Sequence, residues 1–384
     1  MWQVRRFAAI GWILGAFILL GAWPAAAGNY VTTQISTLGG AYLGLFPKIN
    51  SKGEVAWAGN YFDSPGLYLY SNGKVKQLTN NPDIQNFDIN DLGQVVWSGL
   101  VQSPYGYNIF LYKNGGTTPI TTNGNNNFDP SFNANGDFVW HSYDGLHAYV
   151  NQCTSTGAVS TIWTCTSYSV LNANGNFINP VINNLRQVAW IIITQDANYN
   201  LLDNIYLSSG GLATIVHTNS SFIPDLGYTD PLHSLNNNGD LVFSASDGIW
   251  LKKSGAAAQK IATTANRSYR PRINDHGLVA YVGDSAANYT AVYLYNSASG
   301  SQKITDNGTY PFINNKDQVI WTNYQGIYLY YQNSSSRIVN YGFPVYPTLN
   351  DRGQVAWQGE FSGDGIFLSR PVSGLAGMSL LLLE

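Results

Sequence analysis

The sequence predicts an all-β chain folded as an eight-bladed β-propeller, with seven blades as the alternative count. Three observations carry this. A short segment recurs eight times at a spacing of about 43 residues. Each recurrence heads a unit of four short β-prone runs separated by Gly- and Asn-rich turns, and helical periodicity is nowhere evident. A fixed period in this range marks a propeller, solenoid or array, and four-stranded units repeated radially are propeller blades.

The recurring segment is clearest at Phe87–Gly99, FDINDLGQVVWSG. It reads as a strand end (Phe87–Ile89), a turn (Asn90-Asp91-Leu92-Gly93) and a second strand (Gln94–Ser98). Asn90 suits the first turn position, because its side chain can bond the backbone two residues on. Gly93 falls where positive φ is needed. A type I turn followed by a left-handed Gly is a common three-residue hairpin connection. Val95, Val96 and Trp97 show no apolar/polar alternation, so their strand is covered on both faces. The equivalent Asn residues are 50, 90, 133, 183, 236, 274, 314 and 350, spaced by 40, 43, 50, 53, 38, 40 and 36. Arg186 and Asp317 stand where the other units have Gly. Asp tolerates left-handed backbone better than Arg, so a different turn is expected in unit four.

The remaining strands follow in order. In unit two Pro82–Ile89 leads into strand A, Gln94–Ser98 is strand B, Asn108–Tyr112 strand C and Thr118–Thr122 strand D. Strand C recurs as Gly66–Tyr70, Asn204–Leu207, Gly248–Leu251, Val292–Tyr295, Gly326–Tyr330 and Gly365–Leu368. Strand D recurs as Lys76–Thr79, Lys260–Thr263 and Gln302–Thr305. The last unit lacks a clear strand D, whereas Thr33–Leu38 looks like one placed ahead of the first strand A. The expectation is that this N-terminal strand completes blade eight, with Pro371–Leu383 as the competitor. Trp57, Trp97, Trp140, Trp190, Trp321 and Trp357 recur at one position of strand B, which predicts blade-packing core.

Composition bounds the setting. Met1–Ala27 has the form of a secretory signal: Arg5 and Arg6, an apolar run over Phe7–Trp23, and Ala25-Ala26-Ala27 as cleavage site. Residues 28–370 are then a single propeller domain and 371–384 a tail. An exported protein, periplasmic or extracellular in a bacterium, is expected. Without Arg5 and Arg6 the 19 basic residues become 17 against 22 acidic ones, a net charge of −5. A mildly acidic chain is a poor match for nucleic acid or anionic membranes, and no segment after residue 27 could span a bilayer. A monomer is expected. Export favours a disulfide between Cys153 and Cys165; two buried free thiols or an isolated metal pair are the alternatives.

The repeat resembles those of TolB-type bacterial propellers, which have a Pro-x-Trp-Ser-Pro-Asp-Gly turn, an apolar strand, an Ile-Tyr-x strand and Leu-Thr. Here the sequence runs Pro271-Arg272-Ile273-Asn274-Asp275-His276-Gly277, then Val279–Tyr281, Val292–Leu294 and Ile304-Thr305. It departs from that pattern with Ile-Asn for Trp-Ser. It is also similar to a bacterial extracellular repeat family named for His-Ala-Phe, through His147-Ala148-Tyr149 and Ser36-Thr37-Leu38-Gly39-Gly40, departing with Trp at the end of strand B. The resemblance covers about residues 30–370 and implies a propeller fold. Neither family carries a common catalytic set, so it implies no reaction.

Length variation gathers in the B–C loops, such as Val101–Tyr107, Thr194–Asp203 and Asp284–Ala291, and in D–A loops such as His217–His233. These share one face, and insertions gathered on one face of a repeat protein mark a binding face. Tyr105, Tyr107, Tyr199, Tyr228, Tyr289 and Tyr324 fall there as candidate ligand contacts, since Tyr offers rigid area with a polar tip. Packing of loops onto blades is the competing role for each. Asp196, Asn198, Asn200 and Asp203 could offer oxygens to calcium, but lack the Gly and distal Glu of the usual loop; a polar hairpin tip is the plainer account. No other cofactor is implied. The five His (141, 147, 217, 233, 276) show no ligand spacing, and Asp144, Asp247 and Asp364 precede Gly as turn formers. No zincin, phosphate-loop or nucleophile-elbow motif is present. The expected function is a non-catalytic scaffold for a protein or envelope component. A glycan-binding propeller is the first alternative, and a hydrolase or lyase with channel acids the second.

Overall fold

The computed structural model describes residues 30–37, 47–59, 64–165, 179–195, 198, 201–219, 233–245, 247–263, 269–284, 290–341, 343–359 and 365–372. Among them the chain forms eight four-stranded antiparallel sheets. Seven are sequential A-B-C-D meanders, as in blade two: Ile84–Ile89, Val95–Gln102, Tyr105–Lys113 and Gly116–Pro119. The eighth combines the chain ends. Pro344–Leu349, Val355–Gly359 and Gly365–Pro371 are followed in space by Tyr30–Ser36, with Tyr30 opposite Pro371 and Gln34 opposite Phe367. The N-terminal strand therefore closes the ring, three residues earlier than Thr33–Leu38. Strand C of blade eight extends through Pro371, which takes that residue out of the expected tail. Residues 1–27 and 373–384 lie outside the described residues. No helix among the described residues is long and apolar enough to cross a membrane.

The B strands show why their apolar runs do not alternate. Val55 and Trp57 pack against Ala356, Ile366 and Leu368 of blade eight. Ala56 and Ala58, on the other face of the same strand, pack against Phe87, Val95 and Trp97 of blade two. Each sheet is thus a layer between two neighbours, and its central strand is hidden on both sides. The recurring Trp residues meet the preceding blade and are buried. All but Trp140, which stands opposite Asn151, have an aromatic cross-strand neighbour on strand C and stack on it, as Trp57 on Tyr68 at 5.7 Å, Trp97 on Phe110 at 5.5 Å, Trp190 on Tyr206 at 5.3 Å and Trp357 on Phe367 at 4.3 Å.

The A–B turns form in all eight units, with the residue three past each Asn donating to that Asn's carbonyl. The Asn Oδ1 accepts from the next two even backbone positions, as in Leu92 N and Gln94 N to Asn90 at 3.0 Å each. Unit four keeps the same turn, contrary to expectation: Arg186 adopts φ 60° and Asp317 φ 60°, in the left-handed region. Arg186 is held there by Asp137 of blade three, which accepts from its Nε at 2.8 Å and Nη2 at 3.2 Å.

The same Asn has a second role. Its Nδ2 donates to the backbone carbonyl of the equivalent Asn in the next blade: Asn50 to Asn90, Asn183 to Asn236, Asn236 to Asn274 and Asn314 to Asn350, each at 2.9 Å. The following residue repeats the pattern from backbone to side chain, as in Asn184 N to Asn237 Oδ1 at 3.0 Å and Asn315 N to Asp351 Oδ1 at 2.8 Å. The Nδ2 bond to the next blade is made by every one of these Asn residues except Asn90, whose Nδ2 reaches Gln94 Oε1 instead, so these bonds tie the blades together at the end of the axis formed by the A–B turns.

The expected disulfide is not formed; Cys153 and Cys165 are free thiols. The register sets Cys153 opposite Val159 and Cys165 opposite Ala148, five residues away along the same strand. At about 3.3 Å per residue this is about 16 Å, far beyond the roughly 4.4–6.8 Å Cα spacing of a disulfide. The two also face opposite neighbours. Cys153 packs with Val96 and Ile109 of blade two, and Cys165 packs against the cluster containing Trp190 of blade four.

Candidate functional site

Strand A is innermost in each blade, so the residues ahead of each ring Asn face the axis. Two positions upstream stand Lys48, Asp88, Ser131, Val181, Arg272, Phe312 and Thr348, and together they line a cavity of about 270 Å³. Four positions upstream stand Asn86, Asp129 and Asn179, which line the same cavity. Because both positions precede the Asn circle along the strand, the cavity lies toward the face carrying the B–C and D–A connections.

The position four before the Asn has unusual backbone. Asp129, Asn179, Arg270, Tyr310 and Tyr346 have φ between 32° and 58°. In blades three, six, seven and eight the A–B register shifts across this residue. An extra residue in one strand re-aims its side chain relative to regular pleating. Here the re-aimed side chains meet around the ring rather than within their own blade. Asn86 Nδ2 donates to Asp129 Oδ1 at 3.1 Å. The Arg270 guanidinium sits 4.0 Å from the Tyr310 ring centroid, and Tyr310 meets Tyr346 edge-on at 4.9 Å.

The charges of the cavity are arranged in sequence round the axis. Lys48 Nζ lies 3.3 Å from Asp88 Oδ1, and Asp88 Oδ2 accepts from Phe132 N at 2.8 Å. Arg272, in blade six, sits over Phe312 at 5.9 Å and donates to the Pro271 carbonyl at 3.2 Å. Two buried imidazoles stand behind the wall. His141 Nδ1 is 3.3 Å from Asp129 Oδ2 without hydrogen-bond geometry. His233 Nε2 is 3.3 Å from the Ala189 carbonyl, and burial pushes its pKa down to about 4, so it is neutral at pH 7.

The residues predicted as ligand contacts separate. Tyr105 is 70% exposed at the B–C tip of blade two, and Tyr324 is 54% exposed at that of blade seven. Tyr107 turns inward: its hydroxyl donates to Asp83 Oδ2 at 3.0 Å, accepts from Gln85 Nε2 at 3.1 Å, and its ring meets Phe128 at 5.0 Å. Burial and Asp83 push its pKa well above the usual phenol range. Tyr199, Tyr228 and Tyr289 lie outside the described residues, as do Asp196 and Asn200. Of the four oxygen donors considered for calcium, Asn198 is exposed at the hairpin tip. Asp203 is buried in strand C of blade four, opposite Ile193 and Asn219. No group of three His, Cys, Asp or Glu poised for a metal occurs among the described residues. Asp144 acts as a turn former, accepting from Leu146 N at 2.8 Å and His147 N at 2.7 Å. Sequence reasoning missed the strand A residues altogether. Their signal is positional and appears when the repeats are aligned upstream of the Asn.

No family model matches the chain, and no curated protein does. Among solved structures it is similar to dipeptidyl peptidase 4 of Porphyromonas gingivalis, with 10% identity and a TM-score of 0.51, over 83% of this chain and 56% of that one. TolB of Acinetobacter baumannii is 12% identical with a TM-score of 0.41, over 89% and 80%. The β-propeller domain of the trilobed protease of Pyrococcus furiosus is 10% identical with a TM-score of 0.47, over 78% and 98%. The chain spans about half the length of the peptidases it matches, 54% for the acylaminoacyl peptidase of Pyrococcus horikoshii. These likenesses are of fold.

Proposed function

We propose that the protein is an exported, non-catalytic propeller that binds a protein or envelope component through the face of its B–C and D–A connections. The observation that carries this is the exposure of Tyr105 (70%), Leu146 (66%) and Tyr324 (54%) at the B–C tips of blades two, three and seven. Tyr105 and Leu146 belong to adjacent blades. Large apolar side chains held out on hairpin tips form contact area that the fold itself does not use. The B–C hairpins supply a stiff base for them, since in blade two the ladder continues to Gln102 opposite Tyr105.

Affinity capture from an envelope fraction tests this. A Y105A/L146S/Y324A variant loses the captured partner, whereas L92S/L185S, altered at exposed Leu residues of the opposite turns, retains it. Equal capture by both variants counts against the loop face. A glycan array run with the same proteins addresses the alternative: signals abolished by Tyr105→Ala favour a sugar ligand, and uniform silence removes it.

A further inference from the structure

The axial cavity lies apart from the loop tips, and its polar wall is drawn from four consecutive blades. Lys48 of blade one, Asp88 of blade two, Asp129 and Ser131 of blade three and Asn179 of blade four all line it. Much of the hydrogen-bonding capacity of this wall is unused. Asp88 is committed on both oxygens, to Lys48 Nζ at 3.3 Å and to Phe132 N at 2.8 Å. Lys48 has three N–H donors and Asp88 as its one anionic neighbour among the described residues, so donors remain on the cavity side. Asp129 Oδ1 accepts from Asn86 Nδ2 at 3.1 Å. Its Oδ2 lies 3.3 Å from His141 Nδ1 without hydrogen-bond geometry, so that oxygen keeps its acceptor sites. The Ser131 hydroxyl and the Asn179 carboxamide make no side-chain hydrogen bond among the described residues. The wall therefore offers a carboxylate that only accepts, an ammonium that only donates, and a hydroxyl and an amide that do both. Across the axis stands the ring of Phe312, in blade seven, diametrically opposite blade three.

We propose that this cavity binds one neutral polyhydroxylated ring, a monosaccharide or a cyclitol. Hydroxyls are the ligand groups that match the whole wall. They donate to Asp129 and accept from Lys48, while Ser131 and Asn179 take either sense. A ligand carboxylate is set against Asp129 and a ligand ammonium against Lys48, so a full charge of either sign meets a repulsion that a hydroxyl does not. The C–H face of such a ring packs on the apolar wall at Phe312. The volume of about 270 Å³ falls just below the roughly 300–1,000 Å³ of drug-sized sites, which admits a single ring. None of these contacts uses Arg272, on the wall of blade six. The site is made of strand A residues, and its occupancy is independent of what the loop tips bind.

Isothermal titration with glucose, galactose, mannose and myo-inositol tests the proposal. Cyclohexanol, a ring with one hydroxyl, is the apolar comparison; glucuronate and glucosamine are the charged ones. At least one neutral polyol is expected to bind about tenfold or more tightly than cyclohexanol and than either charged sugar. Ser131→Ala removes a cavity hydroxyl that bonds nothing else in the fold. It is expected to leave the melting temperature unchanged and to lower polyol affinity by roughly threefold to tenfold. Asp129→Asn, which keeps a residue tolerant of the φ of 51° found there, lowers it by about tenfold or more. The same ring occurs free or at the end of a glycan chain, and a glycan array with the unaltered protein and Ser131→Ala separates the two. Array signals lost in the variant assign a chain end; titration signals alone assign the free ring. Absence of binding by all four polyols at millimolar concentration, with no array signal sensitive to Ser131→Ala, overturns the proposal. Equal binding of cyclohexanol or of a charged sugar also overturns it, as does an affinity unmoved by both substitutions. The Y105A/L146S/Y324A variant keeps the cavity site, and Ser131→Ala keeps partner capture by the loop tips, so each reading fails separately.

Discussion

Asn350 donates its side-chain N–H to the backbone carbonyl of Asn50 at 2.8 Å, joining the last blade to the first across 300 residues of sequence. The same bond links neighbouring blades elsewhere in the circle, so closure uses no special device. Asn350 Oδ1 also accepts from Arg352 N and Gln354 N at 3.0 Å each, and its Nδ2 reaches Gln354 Oε1 at 2.9 Å.

Replacing Asn350 by Ala leaves the buried Asn50 carbonyl and the part-buried turn amides without this partner. Unfolding in urea is expected to show a loss of about 2–3 kcal/mol. Asn350→Asp keeps the two acceptor bonds but sets a carboxylate oxygen against the Asn50 carbonyl, so it does no better. A midpoint unchanged in both variants contradicts a closing role for this bond.

Tyr30 gives the closure a pH dependence. Its hydroxyl donates to the Gly353 carbonyl at 2.9 Å, and burial pushes its pKa up to about 12 from an ordinary 10. The folded state therefore holds this proton more tightly than the unfolded state. The corresponding stability is complete below pH 10 and is lost as pH rises toward about 12. Tyr30→Phe is expected to make the urea midpoint fall less steeply over that window. An identical slope in the variant removes Tyr30 as a cause.

The ring was legible because it rests on local chemistry. Asn at the turn start announces the A–B hairpin in each unit, Gly three residues later does so in all but units four and seven, and the recurring Trp marks the buried strand. What was not legible depends on partners far away in sequence. Arg186 looked incompatible with the turn, because Asp137, which steadies it, lies 49 residues earlier. The segment around Ser103-Pro104 reads as a loop, yet the ladder runs to Gln102 opposite Tyr105. Asp129 and Arg272 carry no motif; only the circular arrangement brings them to one cavity.

Asp137 and Arg186 form one of these distant pairs. Asp137 is wholly buried. Burial alone would raise its pKa, but bonds from Arg186, the Ser155 amide and Asn133 outweigh burial and hold it below the usual carboxylate range. Stability from this group is thus present above the ordinary value of 3.8 and lost as pH falls through the lower folded value. Arg186→Ala is expected to lower stability at pH 7, by less than a buried pair would because the Arg side chain is half exposed. It also moves acid unfolding to higher pH. Arg186→Gly recovers up to about 1 kcal/mol of that by relieving the left-handed backbone. Acid titration followed by circular dichroism checks both; an unshifted acid limb in Arg186→Ala excludes the pair as its cause.

The two thiols give a prediction that separates geometry from composition. Cys153 is buried, and burial first, then the neighbouring Asp137, pushes its pKa up to about 11. Since the thiolate is the reactive form, Cys153 should resist alkylation in the folded protein, while the half-buried Cys165 is modified first. Reductant is expected to leave the melting temperature unchanged, and both thiols should titrate once the chain is unfolded. Mass spectrometry after brief iodoacetamide treatment, with and without denaturant, reads each site. A melting temperature that falls on reduction would require the strand carrying Cys165 to slide by about five residues against its partner. That register would move every side chain of the strand to the other face and expose the contacts that hold blades three and four together.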